Sequence, residues 1–333
     1  MSPRGRCAVL GAGSWGTTLA VHLAELEWGV RLWDADGANL AALQAERENR
    51  KYLPGIALPD SLEVMFDLAS ALEEAALVVW AVPSIALREV ACAAKPHLDG
   101  VALEACATKG LEPNTSRRMS EVLAEALGKR PRAVLVGPSH AEEVSRGIPT
   151  SVVAAAEQMS WAEDVQRAFF SPRFRVYAQD DLAGVELGSA LKNVIALAAG
   201  VSDGLGYGDN TKGALLTRGL AEMSRLGAAA GARRETFFGL SGMGDLVTTA
   251  ISRHSRNRRV GEELARGRTL ADILKTLGQV AEGVNTAPAA RALAEQHGVD
   301  TPITREVCAV LFEGKSAQEA LKGLLSRDPK RES

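Results

Sequence analysis

Lys192 lies in Leu187-Gly188-Ser189-Ala190-Leu191-Lys192-Asn193-Val194-Ile195-Ala196-Leu197, a stretch of almost wholly small or apolar residues. On a helix its neighbours one turn away are Gly188, Ser189, Ile195 and Ala196, so the ammonium leaves an apolar face. Burial disfavours a charged ammonium and lowers its pKa, which suits a lysine to exchange protons near neutral pH. The same spacing also admits a lysine that snorkels to the surface. Lys109 follows an apolar run, in Ala105-Cys106-Ala107-Thr108-Lys109-Gly110, and Gly137-Pro138-Ser139-His140 follows the next one. Ends of parallel strands are where α/β sheets bind ligands, so Lys109, Gly137 and Ser139 are candidates for one pocket, although Gly-Pro alone also reads as a turn. Asp245, in Ser241-Gly242-Met243-Gly244-Asp245-Leu246, reads either as an N-cap or as the carboxylate that holds a reactive lysine.

A second constellation is Ser252-Arg253-His254-Ser255-Arg256-Asn257-Arg258-Arg259, ahead of an amphipathic run over 260–266. Ser255 is a good N-cap, yet arginines crowd a first turn where the helix dipole disfavours cations. A bound anion resolves that conflict, because free N–H groups and a guanidinium fork suit a phosphate. A solvated basic patch is the alternative.

Gly11-Ala12-Gly13-Ser14-Trp15-Gly16 fits the dinucleotide fingerprint G-x-G-x-x-G. Its glycines permit the turn, the approach of backbone to a pyrophosphate, and close helix–strand packing. Asp34 then stands where a carboxylate accepts the adenosine ribose 2′-hydroxyl, which favours NAD, or where it simply solvates the turn Asp34-Ala35-Asp36-Gly37. Arg31 and Arg47 leave NADP open.

These residues need elements to position them. Apolar runs at 6–10, 29–33, 77–82, 101–106, 133–136, 151–155 and 173–178 read as strands, and 14–28 has helical spacing. Their alternation with helical stretches predicts a Rossmann-type α/β domain: a mostly parallel sheet with helices on both faces. After about residue 181 strand-like runs cease and long helical patterns rich in Ala, Leu, Glu and Arg take over. The expected organisation is a dinucleotide-binding domain over 1–180 and an all-helical substrate-binding and catalytic domain over 181–333. The glycine-rich run 204–210 reads as a loop between helices, and the charged tail over 326–333 is expected to fray.

Composition excludes several classes. The net charge of -3 argues against general nucleic-acid binding. No apolar run is long enough for a membrane span and no secretory leader opens the chain, so a cytoplasmic protein is expected. The four cysteines form no C-x-x-C pair and the five histidines show no ligand spacing, so no metal is expected. Neither a Ser-His-Asp arrangement nor a Walker loop is present.

Taken in order, the blocks Gly11 to Thr17, Asn49-Arg50-Lys51-Tyr52-Leu53-Pro54, Val82-Pro83-Ser84, Thr108-Lys109-Gly110, Gly137-Pro138-Ser139-His140-Ala141, Leu191-Lys192-Asn193, Gly204-Leu205-Gly206-Tyr207-Gly208, Gly242-Met243-Gly244-Asp245-Leu246, Ser255-Arg256-Asn257 and Val280-Ala281-Glu282-Gly283 resemble the bacterial NAD(P)-dependent glycerol-3-phosphate dehydrogenases over nearly the whole chain. The resemblance implies Lys192 as proton acceptor for the C2 hydroxyl of sn-glycerol 3-phosphate. It implies substrate contacts from Lys109, Gly137, Ser139, Asp245, Ser255, Arg256 and Asn257, with the last three on the phosphate. It implies cofactor contacts from Ser14, Trp15, Lys109, Ala141, Arg256, Val280 and Glu282, beside the loop glycines Gly11, Gly13 and Gly16 and Asp34. The cofactor is then NAD or NADP, the substrate pair glycerol 3-phosphate and dihydroxyacetone phosphate, and the physiological direction supply of glycerol 3-phosphate for phospholipid synthesis. The helical half offers surface for a homodimer, with no pattern that fixes an interface. Two rival readings remain on the residues alone: a dehydrogenase of 2- or 3-hydroxy acids, and a dinucleotide sensor without catalysis.

Overall fold

The computed structural model describes residues 4–326. Eight strands form one sheet: β1 (Arg6–Leu10), β2 (Gly29–Trp33), β3 (Glu63–Met65), β4 (Ala75–Trp80), β5 (Leu103–Cys106), β6 (Arg132–Val136), β7 (Thr150–Ala155) and β8 (Phe174–Gln179). Their order is β3-β2-β1-β4-β5-β6-β7-β8. All neighbours are parallel except β6 and β7. The link between those two holds only the short helix Ala141–Val144, which cannot serve as the covering helix of a parallel crossover.

The central strands are continuous apolar runs because both faces are covered. Cys7, Val9, Leu77 and Val79 pack with Leu19 and Leu23 of helix Ser14–Glu25 on one side. Ala8, Leu10, Val78 and Trp80 pack with Leu87 and Val122 on the other. The chain leaves β1 toward β2 on one side, and β4 lies on the other, so a crevice opens at the carboxyl ends of these strands. Loops after β1, β4, β5 and β6 all meet there.

From Leu182 onward the described chain is helical. Helix Leu182–Gly204 is the axis of this half. It is long and apolar enough to cross a membrane, but 83% of its apolar window is buried inside the protein. Helix Arg256–Ala265 packs along it through backbone contact: a Cβ on Gly200 would stand 1.9 Å from the Arg258 carbonyl oxygen. Glu186, on the same axis helix, reaches into the sheet half. Its carboxylate accepts from the Ser120 N–H (2.8 Å) and hydroxyl (2.6 Å) and pairs with Arg118 at 2.8 Å.

The strand expectations agree with the structure to within two residues at their ends, and β8 is the last strand as expected. The edge strand β3 had no apolar run long enough to announce it. The helix expected over 14–28 ends at Glu25, because Glu27 adopts a left-handed φ of 65° that stops it. The expected fraying of the tail concerns residues beyond 326, outside the described residues.

Candidate active site

The first loop is shaped for a phosphate chain. Gly11 has φ +110°, and a Cβ on Gly16 would stand 1.8 Å from the Gly11 carbonyl oxygen, so neither position admits a side chain. A Cβ on Gly13 would meet nothing within 4 Å, which leaves the concave face open to a pyrophosphate at the start of helix Ser14–Glu25. Asn49, almost fully buried, fixes the loop from outside by donating to the Ala12 carbonyl (2.8 Å) and to Thr17 Oγ1 (2.7 Å). The Asp34 carboxylate accepts from the Ala12 and Asp36 N–H groups, which holds it at the loop's edge. These features fit a dinucleotide. Arg31 and Arg47 face elsewhere: Arg31 donates to the Ser70 and Glu73 carbonyls, and Arg47 to those of Pro59 and Leu62. The cation beside the Asp34–Asp36 turn is instead Lys51, 2.8 Å from Asp36 Oδ2.

Lys192 is 5% exposed, which excludes the snorkelling alternative. Its Nζ donates to Thr249 Oγ1 at 2.6 Å and stands 3.0 Å from Asp245 Oδ1. Asp245 is the first residue of helix Asp245–Ile251 and caps nothing; Gly244 holds the cap position. Its other oxygen pairs with Lys109 at 2.9 Å, and Lys109 Nζ also donates to the Gly137 carbonyl at 2.8 Å. A chain of contacts thus runs from the ends of β5 and β6 through Asp245 to Lys192. Burial pushes the Lys192 ammonium down to about 8, against the opposing pull of Asp245, with Lys109 and Arg256 lowering it further. Burial works to raise the Asp245 carboxyl, but the two flanking lysines outweigh it and hold it below its ordinary value. The site therefore pairs a fixed carboxylate with a lysine that titrates close to neutrality.

Ser255 caps helix Arg256–Ala265, accepting the Arg258 N–H at 3.2 Å. Arg258 is held by Asp203 and Glu262, both at 2.7 Å. Arg256 forms no ion pair among the described residues. It is water-accessible, yet the surrounding protein removes enough hydration to lower its pKa. Asn257 is turned inward: it donates to Asn193 Oδ1 (2.9 Å) and accepts the Gly283 N–H (2.9 Å). Its side chain ties this helix start to the residue beside Lys192, which leaves its backbone N–H as the group available to an anion.

Other expected residues flank this core. Ser139 donates to the Gly137 carbonyl at 3.0 Å, and the Ala141 carbonyl accepts from Thr18 at 3.4 Å. The Ser14 carbonyl accepts the same Thr18 hydroxyl at 2.9 Å, and Trp15 packs beside Phe174 with its indole N–H unpartnered. Val280 leads into helix Glu282–Gln296. Glu282 crosses to the sheet half and accepts from the Ser84 hydroxyl (2.5 Å) and N–H (3.1 Å), while burial raises its pKa.

Sequence reasoning missed Thr249, Asn49, Asn193 and the Ser84–Glu282 contact. Thr249 had one signal, its position one helical turn after Asp245. The other three depend on contacts between distant segments. Among the described residues no group of three or more His, Cys, Asp or Glu side chains comes together as a metal site.

Comparison with known proteins agrees with this geometry. Residues 6–162 match the N-terminal domain, and residues 181–322 the C-terminal domain, of NAD-dependent glycerol-3-phosphate dehydrogenase. Glycerol-3-phosphate dehydrogenase [NAD(P)+] of Chlorobium luteolum is 51% identical over 330 residues, 98% of each chain. The corresponding enzyme of Chlorobium phaeobacteroides is 48% identical over 330 residues, 98% of this chain and 99% of its own. The crystal structure of glycerol-3-phosphate dehydrogenase from Coxiella burnetii superposes with a TM-score of 0.94 at 41% identity, covering 97% of this chain and 99% of that one. These matches displace both rivals, the hydroxy-acid enzyme and the sensor. The chain belongs to the NAD-dependent glycerol-3-phosphate dehydrogenase family, whose members use NAD(P) to reduce dihydroxyacetone phosphate to glycerol 3-phosphate.

Proposed function

We propose that Lys192 is the general acid–base of this reaction, on the observation that a buried lysine with a pKa near 8 is fixed between Asp245 and Thr249. When bound, the nicotinamide accepts or supplies the hydride. In the oxidative direction neutral Lys192 takes the C2 hydroxyl proton as the C2 hydride departs, leaving a carbonyl. In reduction its ammonium returns that proton to the developing alkoxide. Asp245 orients Lys192 and keeps positive charge favourable on it. Lys109 steadies the substrate oxygens, with Gly137 and Ser139 forming the wall beside it. Arg256 and the N–H groups after Ser255, including that of Asn257, hold the phosphate and orient C2 for transfer.

Cofactor contacts are assigned to Gly11, Gly13, Ser14, Trp15, Gly16, Asp34, Lys109, Ala141, Arg256, Val280 and Glu282. We assign the dinucleotide-binding domain to 1–180 and the substrate-binding and catalytic domain to 181–333, with Lys109, Gly137 and Ser139 reaching the substrate, and Arg256, Val280 and Glu282 the cofactor, from the opposite half. A cytoplasmic location, a role in supplying phospholipid synthesis and a homodimeric state complete the reading; the helical half's exposed surface is what a second copy would cover. The test is loss of reduced-nicotinamide absorbance on adding dihydroxyacetone phosphate, for wild type and Lys192→Ala. The wild type should turn over and Lys192→Ala should not, with its cofactor affinity unchanged by fluorescence titration. Full turnover by the variant would remove Lys192 from the chemistry.

A further inference from the structure

The turn after β2 carries two acids with different duties. Asp34 closes on the glycine loop: Oδ2 accepts the Ala12 N–H, and Oδ1 accepts the Asp36 N–H at 2.9 Å. Each oxygen keeps a lone pair, and in a dinucleotide fold a carboxylate here faces the adenosine ribose 2′-oxygen. Asp36 points its two oxygens apart. Oδ1 caps helix Gly37–Glu46 by accepting the Asn39 N–H at 3.1 Å, and Oδ2 pairs with Lys51 at 2.8 Å. Lys51 comes from a loop that is itself tied to the glycine loop. The Asn49 side chain donates to the Ala12 carbonyl and to Thr17, while Asn49 oxygens accept the Tyr52 and Leu53 N–H groups. The Lys51 ammonium also stands 4.8 Å from the centre of the Tyr52 ring. Neighbouring arginines are engaged elsewhere: Arg31 and Arg47 bond backbone carbonyls, and Arg50 pairs with Glu46 and Glu48.

We propose that the Asp36–Lys51 ion pair sets the coenzyme preference. Asp36 withholds Lys51 from a 2′-phosphate, so the chain favours NAD over NADP, and one substitution at Asp36 turns the preference toward NADP. The proposal rests on the assignment of the glycine loop and Asp34 to the cofactor.

Charge decides the direction. A phosphate monoester carries between one and two negative charges near neutral pH. At this edge it would meet the Asp34 carboxylate, and Lys51 cannot offset that repulsion while Asp36 neutralises it. NAD presents a hydroxyl instead, which can donate to Asp34. The pair is also easily parted. Its side chains are 51% and 37% exposed, and an exposed ion pair is weakly held. Once the Asp36 charge is gone, Lys51 is free to make charge-assisted hydrogen bonds to phosphate oxygens.

The experiment measures dissociation constants for NADH and NADPH by fluorescence titration, alongside kcat/KM with each coenzyme. The proteins are wild type, Asp36→Asn, the double variant Asp36→Asn/Lys51→Ala, and Asp34→Ala. Asparagine is as good an N-cap as aspartate, so Asp36→Asn removes charge and keeps the helix start. Wild type should bind NADH about 10-fold or more tightly than NADPH, the worth of one charge-assisted hydrogen bond. Asp36→Asn should tighten NADPH by about 10-fold and move NADH less than twofold, with kcat/KM following. Adding Lys51→Ala should cancel the gain. A wild type that binds NADPH as tightly as NADH would overturn the proposal. So would a gain that survives without Lys51, because loss of a negative charge would then explain it alone. If Asp36→Asn folds poorly, Asp36→Ser, another good cap, takes its place. Asp34→Ala separates this reading from the one beneath it. If that variant binds NADH as wild type does, the cofactor assignment of Asp34 falls. If it weakens NADH while Asp36→Asn leaves NADPH unchanged, only the role of the ion pair falls.

Discussion

At the scale of residues, the proposed chemistry rests on how three charges share a small volume. Asp245 holds two lysines but can fully neutralise only one, and burial lowers Lys192 toward neutrality. The sign of the pH dependence follows. With Lys192 as the proposed acid–base group, oxidation needs it neutral, so kcat should rise through about pH 8, while reduction needs the ammonium and should decline above about pH 8. A pH series run in both directions checks this; profiles of the same sense would contradict it. Asp245→Asn removes the carboxylate that favours the ammonium while desolvation persists, so the oxidation midpoint should fall below about 8. Arg256 has no ion partner of its own among the described residues, so Arg256→Ala should weaken substrate more than it disturbs folding. Loss of a charge-assisted hydrogen bond of about 1.5–3 kcal/mol corresponds to a rise in KM of roughly 10- to 150-fold, read from saturation curves at unchanged thermal stability.

At the scale of elements, glycines decide how closely backbones approach. A methyl on Gly200 would collide with the Arg258 carbonyl 1.9 Å away, and that carbonyl belongs to the helix whose N-terminus is the proposed phosphate site. Gly200→Ala should therefore cost about 1–3 kcal/mol of stability and also raise KM for the phosphorylated substrate, because the helix must shift. Denaturant titration and steady-state kinetics read the two effects. A stability loss with normal KM would mean that the displacement does not reach Ser255. Gly16→Ala meets the Gly11 carbonyl at 1.8 Å and should abolish cofactor binding while leaving the helical half intact.

At the scale of the whole molecule, the polar ties between the two halves include Glu186 to Ser120 and Arg118, Glu282 to Ser84, Asp245 to Lys109, Ser116 to the Ala289 carbonyl, Gln179 to Thr236 and Asp180 to Arg233. Glu186 is 5% exposed; its removal leaves Arg118 with Glu121 alone and strands the Ser120 N–H and hydroxyl. Glu186→Ala should cost about 1–3 kcal/mol, the usual penalty for leaving buried donors unpaired. It should also uncouple the halves, so that calorimetry shows two transitions of which NADH raises one. A single transition that moves as a unit would show that apolar contact, not these ties, carries the coupling.

The local signals in the sequence determined much of this. Strand runs at 6–10 and 29–33, the glycine loop and the Ser255 cap depend on periodicity and turn chemistry over a few residues, and all appear where expected. The apolar face around Lys192 admitted burial and snorkelling alike, and the fold decided for burial. What periodicity could not supply was partnership. Asp245 admitted two readings until the fold brought it within 3.0 Å of Lys192 and 2.9 Å of Lys109, from segments far apart in the chain. Arg31 and Arg47 read as candidates for a 2′-phosphate until the structure committed both to backbone carbonyls. Asn49 and Ser84 carry no local sign of their roles, because each acts on a segment that only the folded chain places beside it. Residue type and spacing fix what a side chain can do; which charge it meets, and how much water it loses, are decided by tertiary contacts.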